Sequence, residues 1–74
     1  MMNDKYQLKI VIASDVDYKN LIAEIYCDDQ YVALLQQEDG KDEVKVEFGT
    51  GLKAVSLDWL HNALSEAKKR LITE

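Results

Sequence analysis

The chain is poor in the residues that build disulfides, metal sites and membrane spans: it has one cysteine, Cys27, one histidine, His61, and no aliphatic run longer than four residues. A single cysteine excludes an intramolecular disulfide and fits a reducing compartment, so a cytoplasmic location is expected. The longest aliphatic runs, Ile10-Val11-Ile12-Ala13 and Val32-Ala33-Leu34-Leu35, are far short of the roughly 20 residues that cross a bilayer, so no membrane span is expected. Asn3, Asp4 and Lys5 follow the opening methionines where a signal peptide would begin its apolar region, so none is expected. With one cysteine and one histidine there is no third or fourth soft ligand for zinc. No metal and no cofactor are expected. Positive charge is also scarce, with 9 basic against 14 acidic residues and a formal net charge of −5. That balance disfavours direct binding to nucleic acid and favours a protein partner with a basic surface.

What is present reads as one domain spanning residues 1–74. A chain this short buries only about 60% of the surface its unfolded form exposes, so modest stability is expected. Tyr6 to Ala13 sets Tyr6, Leu8, Ile10 and Ile12 against Gln7, Lys9, Val11 and Ala13, the period of a strand. Leu21 to Cys27 and Tyr31 to Gln37 form the next two strands, joined through Asp28-Asp29-Gln30 as a tight hairpin. The polar stretch Glu38-Asp39-Gly40-Lys41-Asp42 turns the chain into a fourth strand, Glu43 to Phe48. Gly49-Thr50-Gly51 ends it.

From Ser56 to Ile72 the period changes to that of a helix. Ser56 can cap its first turn, Val55 can staple onto Leu60, and Leu57, Leu60, Leu64, Ala67 and Leu71 form one stripe. The order β-β-β-β-α with short connections predicts an α+β fold: a four-stranded antiparallel meander with the C-terminal helix packed on one face. Leu21, Ala23, Ile25 and Cys27 should share the core face with Val32, Leu34, Ile10, Ile12, Val46 and Phe48. The second face then keeps Val11, Ile22, Tyr26, Tyr31, Ala33 and Leu35 among Lys9, Glu24, Lys45 and Glu47. One helix cannot cover both sides of a sheet, so this apolar, tyrosine-bearing face predicts a partner or a homodimer.

Several constellations invite a chemical reading and fail it. Asp15-Val16-Asp17 opens like a calcium loop, but Lys19, Asn20 and Tyr26 stand where a ligand, a glycine and a glutamate are required, so a turn is expected. Gly49-Thr50-Gly51-Leu52-Lys53 lacks the spacing of a phosphate-binding loop and reads as a connection. A Cys27–His61 nucleophilic pair needs one open cleft, whereas the alternation puts Cys27 on the core side. No catalytic residue is assigned, and the chain reads as no enzyme. Trp59 falls outside the helix stripe, either as a lid over the Gly49 to Ala54 connection or as part of a binding surface. Asp28, Asp29, Asp42 and Glu43 lie at turns, either as solvated acids or as groups that face lysines and arginines of a partner. The candidate partner-binding set is therefore Glu24, Tyr26, Asp28, Asp29, Tyr31, Leu35, Asp42, Glu43, Glu47 and Trp59.

The segments Ile22-Ala23-Glu24-Ile25-Tyr26, Tyr31-Val32-Ala33-Leu34-Leu35 with Gln37-Glu38, Val55-Ser56-Leu57-Asp58-Trp59-Leu60 and Glu66-Ala67-Lys68-Lys69-Arg70-Leu71 together resemble a group of short, stand-alone bacterial proteins with this order of parts. The resemblance covers roughly Leu8 to Leu71. It implies a shared fold and carries no catalytic residue across. In that group the first hairpin turn often reads Asp-Gly, where this chain has Asp28-Asp29-Gln30. At the level of class, the chain also resembles small phage or mobile-element inhibitors, such as anti-CRISPR proteins, and bacterial immunity proteins. That likeness implies a small acidic inhibitor, monomeric or homodimeric, whose carboxylates substitute for the phosphates of a nucleic acid at a basic site. The alternative is a self-associating module that dimerises through its open sheet face.

Overall fold

A computed structural model describes residues 6–74. The Asn3-Asp4-Lys5 segment, on which the signal-peptide expectation rests, lies outside the described residues. Four strands, β1 (Leu8–Ala13), β2 (Ile22–Cys27), β3 (Gln30–Gln36) and β4 (Lys45–Phe48), precede one helix, α1 (Leu57–Thr73). The strands form one sheet in the order β1-β2-β3-β4, and every neighbouring pair is antiparallel. This is the expected α+β meander with its C-terminal helix on one face.

The hairpin between β2 and β3 closes on two residues, Asp28 (φ 50°) and Asp29 (φ 69°), with Cys27 opposite Gln30. Two consecutive positive φ values turn the chain with the twist of the flanking strands, the geometry that usually selects Asn-Gly. Asp28 is also tied to the chain ahead of β1: its amide donates to the Gln7 carbonyl at 3.0 Å, and its Oδ1 accepts from the Gln7 amide at 2.7 Å. Bound in this way to a turn, Tyr6 and Gln7 stand outside β1, which begins two residues later than its alternation suggests. At the other end of the sheet, β4 begins at Lys45 and not at Glu43. The Glu43 amide instead bonds the Gly40 carbonyl at 3.1 Å and extends the turn.

The facing of β3 departs from simple alternation. Ile25 lies opposite Ala33, whereas Tyr26 lies opposite Tyr31, so Val32 is an extra residue in β3, a β-bulge. The bulge shifts the alternation by one. Val32 faces the core as expected, but Ala33 and Leu35 face it too, at 0% and 2% exposure, while Leu34 stands on the other side opposite Glu24 and Glu47. The expected assignment of Ala33 and Leu35 to the open face, and of Leu34 to the core, is therefore corrected.

The helix is capped as its sequence suggests, with Ser56 Oγ accepting from the Trp59 amide at 3.3 Å. It is rolled, however, by about 60° relative to the leucine stripe, taking about 100° per residue. Trp59, Ala63, Ala67 and Leu71 are buried, Leu60 and Leu64 are half-buried, and Leu57 is 78% exposed. Ala63 and Ala67 join Ala23 and Ala33 in the buried cluster, where small side chains on both layers permit a close approach of helix to sheet. Ile25 and Leu71 supply bulk, and Trp59 fills the end of the layer. Phe48 shares the core side of the sheet with Ala33 but is 66% exposed, because β4 lies at the margin of the sheet.

The β3–β4 connection is held by Lys45 Nζ on Asp39 Oδ2 at 2.6 Å and by Lys41 Nζ on the Ile72 carbonyl at 3.4 Å. No described helix is long and apolar enough to cross a membrane.

Candidate functional site

The helix-free face of the sheet is organised in rows set by the strand register. One row runs Val11, Glu24, Leu34 and Glu47, and the next contains Lys9, Tyr26 and Tyr31 and ends at Gly49. Tyr26 and Tyr31 pack edge to face with ring centroids 5.8 Å apart, and Lys9 Nζ lies 5.5 Å from the Tyr26 centroid. The Tyr26 hydroxyl donates to Glu24 Oε1 at 3.1 Å.

A third tyrosine enters from the β1–β2 connection. Asp15 Oδ1 accepts from the Asp17 amide at 2.8 Å, and the Tyr18 amide donates to the Asp15 carbonyl at 3.1 Å, which makes Asp15-Val16-Asp17 the expected turn. Glu38 then clamps the segment, its two carboxylate oxygens accepting from the Lys19 amide at 2.8 Å and the Asn20 amide at 3.0 Å. These bonds hold the Glu38 carboxyl below its ordinary range. So fixed, Tyr18 reaches across the face and donates its hydroxyl to Glu47 Oε1 at 2.6 Å. Ile22, at the start of β2 on this face, is 1% exposed.

The electrostatics of the cluster follow from these contacts. The hydrogen bond to Glu47 pushes the Tyr18 phenol up to about 12. Tyr26 is raised by its bond to Glu24, and Tyr31 by partial burial together with the charges of Glu24 and Glu47. All three phenols are thus held protonated, and the two carboxylates are occupied as acceptors. Such an arrangement offers aromatic faces and negative charge to a cation.

The fold brings together four of the residues expected to bind a partner: Glu24, Tyr26, Tyr31 and Glu47. It places Asp28 and Asp29 at one end of the sheet, and Asp42 and Glu43 at the other. These are separated by the length of β3, about 20 Å at ~3.3 Å per residue. Leu35, at 2% exposure, and Trp59, at 8%, belong to the core and are removed from the surface set. Alternation put Leu35 outside because it could not see the bulge at Val32. Trp59 packs into the core cluster, with Leu52 and Val55 of the connection against that cluster. Its ring lines a pocket of about 130 Å³ with Cys27, Asp28, Leu52 and Val55.

Tyr18 and Leu34 were missed as parts of the face, and Lys9, expected on it, was left out of the partner-binding set. Tyr18 lay in an apparent loop, and its only signal was a large aromatic residue inside a polar segment.

Cys27 lines the pocket under Trp59, and burial, with the nearby Asp28 charge, pushes its thiol up. A raised thiol is a poor nucleophile. His61 is exposed on the helix and is not among the residues that line this pocket. Gly49-Thr50-Gly51 carries the chain from β4 toward the helix, with the Gly51 carbonyl accepting from Gln30 Nε2 at 3.3 Å. No cluster of three or more histidine, cysteine, aspartate or glutamate residues suited to a metal ion occurs among the described residues. Comparison with protein-family models, curated proteins and solved structures gave no match.

Proposed function

We propose that this chain is a non-enzymatic protein-binding inhibitor of the cytoplasm, which occupies a basic site on a nucleic-acid-handling or toxic protein. The observation that carries this reading is the tyrosine cluster Tyr18, Tyr26 and Tyr31 on the side of the sheet that the helix leaves open, with acidic turns at both ends of that sheet. Aromatic residues at the centre and charge at the rim are the usual anatomy of a protein interface. Tyrosine contributes contact area with few torsions to freeze, and the hydroxyl bonds of Tyr18 and Tyr26 already hold two of the rings in place.

The division of labour is then between centre and rim. Arginine or lysine side chains of the partner meet the faces of Tyr26 and Tyr31 and the carboxylates of Glu24 and Glu47. Asp29, Asp42 and Glu43 raise the rate of encounter and make it sensitive to salt. With Leu35 and Ala33 in the core, the open face is less apolar than alternation suggests, which favours a charged partner over self-association through that face.

The test is capture from host extract followed by binding measurements with the purified partner. Tyr26→Ala should weaken binding at least tenfold, mainly through faster dissociation. Asp29→Lys with Asp42→Lys and Glu43→Lys should slow association and flatten its salt dependence. Binding by both variants at the wild-type level, with folding intact by circular dichroism, would sink the reading.

A further inference from the structure

The strand β4 is one of the two outer strands of the sheet, and among the described residues it pairs only with β3. The Gly49 amide donates to the Val32 carbonyl at 2.8 Å, so the alternation of an antiparallel ladder turns the amides and carbonyls of Lys45 and Glu47 inward to β3. Those of Val44, Val46 and Phe48 point out from the edge. Exposed edges of this kind are commonly blocked by like charges, but here the two charged residues on the open face, Lys45 and Glu47, are of opposite sign.

We propose that β4 is a self-complementary docking edge whose occupant is β4 of a second copy of this chain, antiparallel and in a register centred on Val46. That register follows from the residues. A two-fold axis at Val46 sets Val46 opposite its own copy and Val44 opposite Phe48 of the partner copy, and these are the residues whose backbone groups point outward. The intervening pairs are then Lys45 opposite Glu47, twice, on the open face. They fall at the non-hydrogen-bonded positions, where side chains approach most closely.

On the helix side, Phe48, 66% exposed in the single chain, gains an apolar neighbour in Val44 of the copy. The axis is perpendicular to the sheet, so the product is one eight-stranded antiparallel sheet with both helices on the same side. A register centred on Val44 also pairs opposite charges, Glu43 with Lys45, but leaves Phe48 unpaired and sets Asp42 against Val46. The inference shares Glu47 with the proposed partner site but rests on the backbone edge of the sheet, and it leaves the Tyr26 and Tyr31 rings free.

So short an edge buries less than the roughly 1,200 Å² of a standard interface, which points to a weak dimer with a Kd on the order of 100 µM. The experiment is sedimentation equilibrium of the intact chain up to about 1 mM, where such a dimer predominates. The expected weight-average mass climbs from 8.5 kDa toward twice that value. Val46→Pro removes an amide that makes no bond within the sheet, so the monomer should fold and its association should fall at least tenfold.

Independently of that variant, Lys45→Glu and Glu47→Lys should each abolish self-association, and an equimolar mixture of the two should restore it as a heterodimer. A chain that is monomeric throughout overturns the proposal. So does a dimer indifferent to Val46→Pro, or a mixture of the charge variants that stays monomeric.

Discussion

The ring of Tyr31 lies directly on the backbone of Gly49: a Cβ placed at Gly49 would stand 2.7 Å from Tyr31 Cδ2 and 2.8 Å from Cε2. The glycine that ends β4 is therefore a seat for an aromatic ring, the cross-strand pairing by which aromatic residues compensate for glycine at the margin of a sheet. Gly49→Ala should destabilise the chain by about 1–3 kcal/mol, the usual cost of forcing extra volume into a filled contact. The same substitution in a Tyr31→Ala background should cost much less, and urea unfolding of the four chains in that cycle measures the coupling.

The Asp28-Asp29 turn holds two residues in the left-handed region, at φ 50° and 69°. Replacing Asp29 by glycine removes one such penalty, and Asn at position 28 keeps an acceptor for the Gln7 amide. The pair Asp28→Asn with Asp29→Gly should stabilise the chain by about 1 kcal/mol, read as a higher urea midpoint with an unchanged slope. A lower midpoint would mean that the Asp28 carboxylate matters more to the end of the sheet than the backbone conformation does.

Leu34 and Leu35 are neighbours of the same type with opposite fates, because the bulge at Val32 sends one to the open face and the other to the core. Leu35→Ala should cost about 2–5 kcal/mol, as buried leucines do. Leu34→Ala should cost under about 1 kcal/mol. Thermal unfolding of the two single variants decides it, and equal losses would contradict the register.

The Tyr18 phenol, raised from 10.0 to about 12 by Glu47, gives a pH signature. Because the folded chain binds this proton more tightly than the unfolded chain, the contribution is complete below pH 10 and is lost as pH rises through about 12. Phenolate absorbance should show one tyrosine titrating later than the rest, Tyr26 and Tyr31 being raised as well. Glu47→Gln should bring it back toward 10, and Tyr18→Phe should remove it.

The division between what was legible and what was not is physical. Strand and helix existence followed from period: Ile10 and Ile12 alternate, and Ser56 announces a helix whose start it caps. Hairpin closure followed from a connection too short for anything else. These are local properties, and local sequence determines them.

Only the tertiary structure decided which side chains face where. One extra residue at Val32 reverses the facing of Ala33, Leu34 and Leu35, and a bulge has no periodic signature. The roll of the helix was set by the fit of Ala63 and Ala67 against Ala23 and Ala33, a property of two surfaces at once, so hydrophobicity alone favoured the leucine stripe and left Trp59 outside. The candidate site was half legible for the same reason. Glu24, Tyr26, Tyr31 and Glu47 lie on regular strand positions, whereas Tyr18 reaches Glu47 only because Glu38, 18 and 19 residues away from the amides it binds, folds the connection across the sheet.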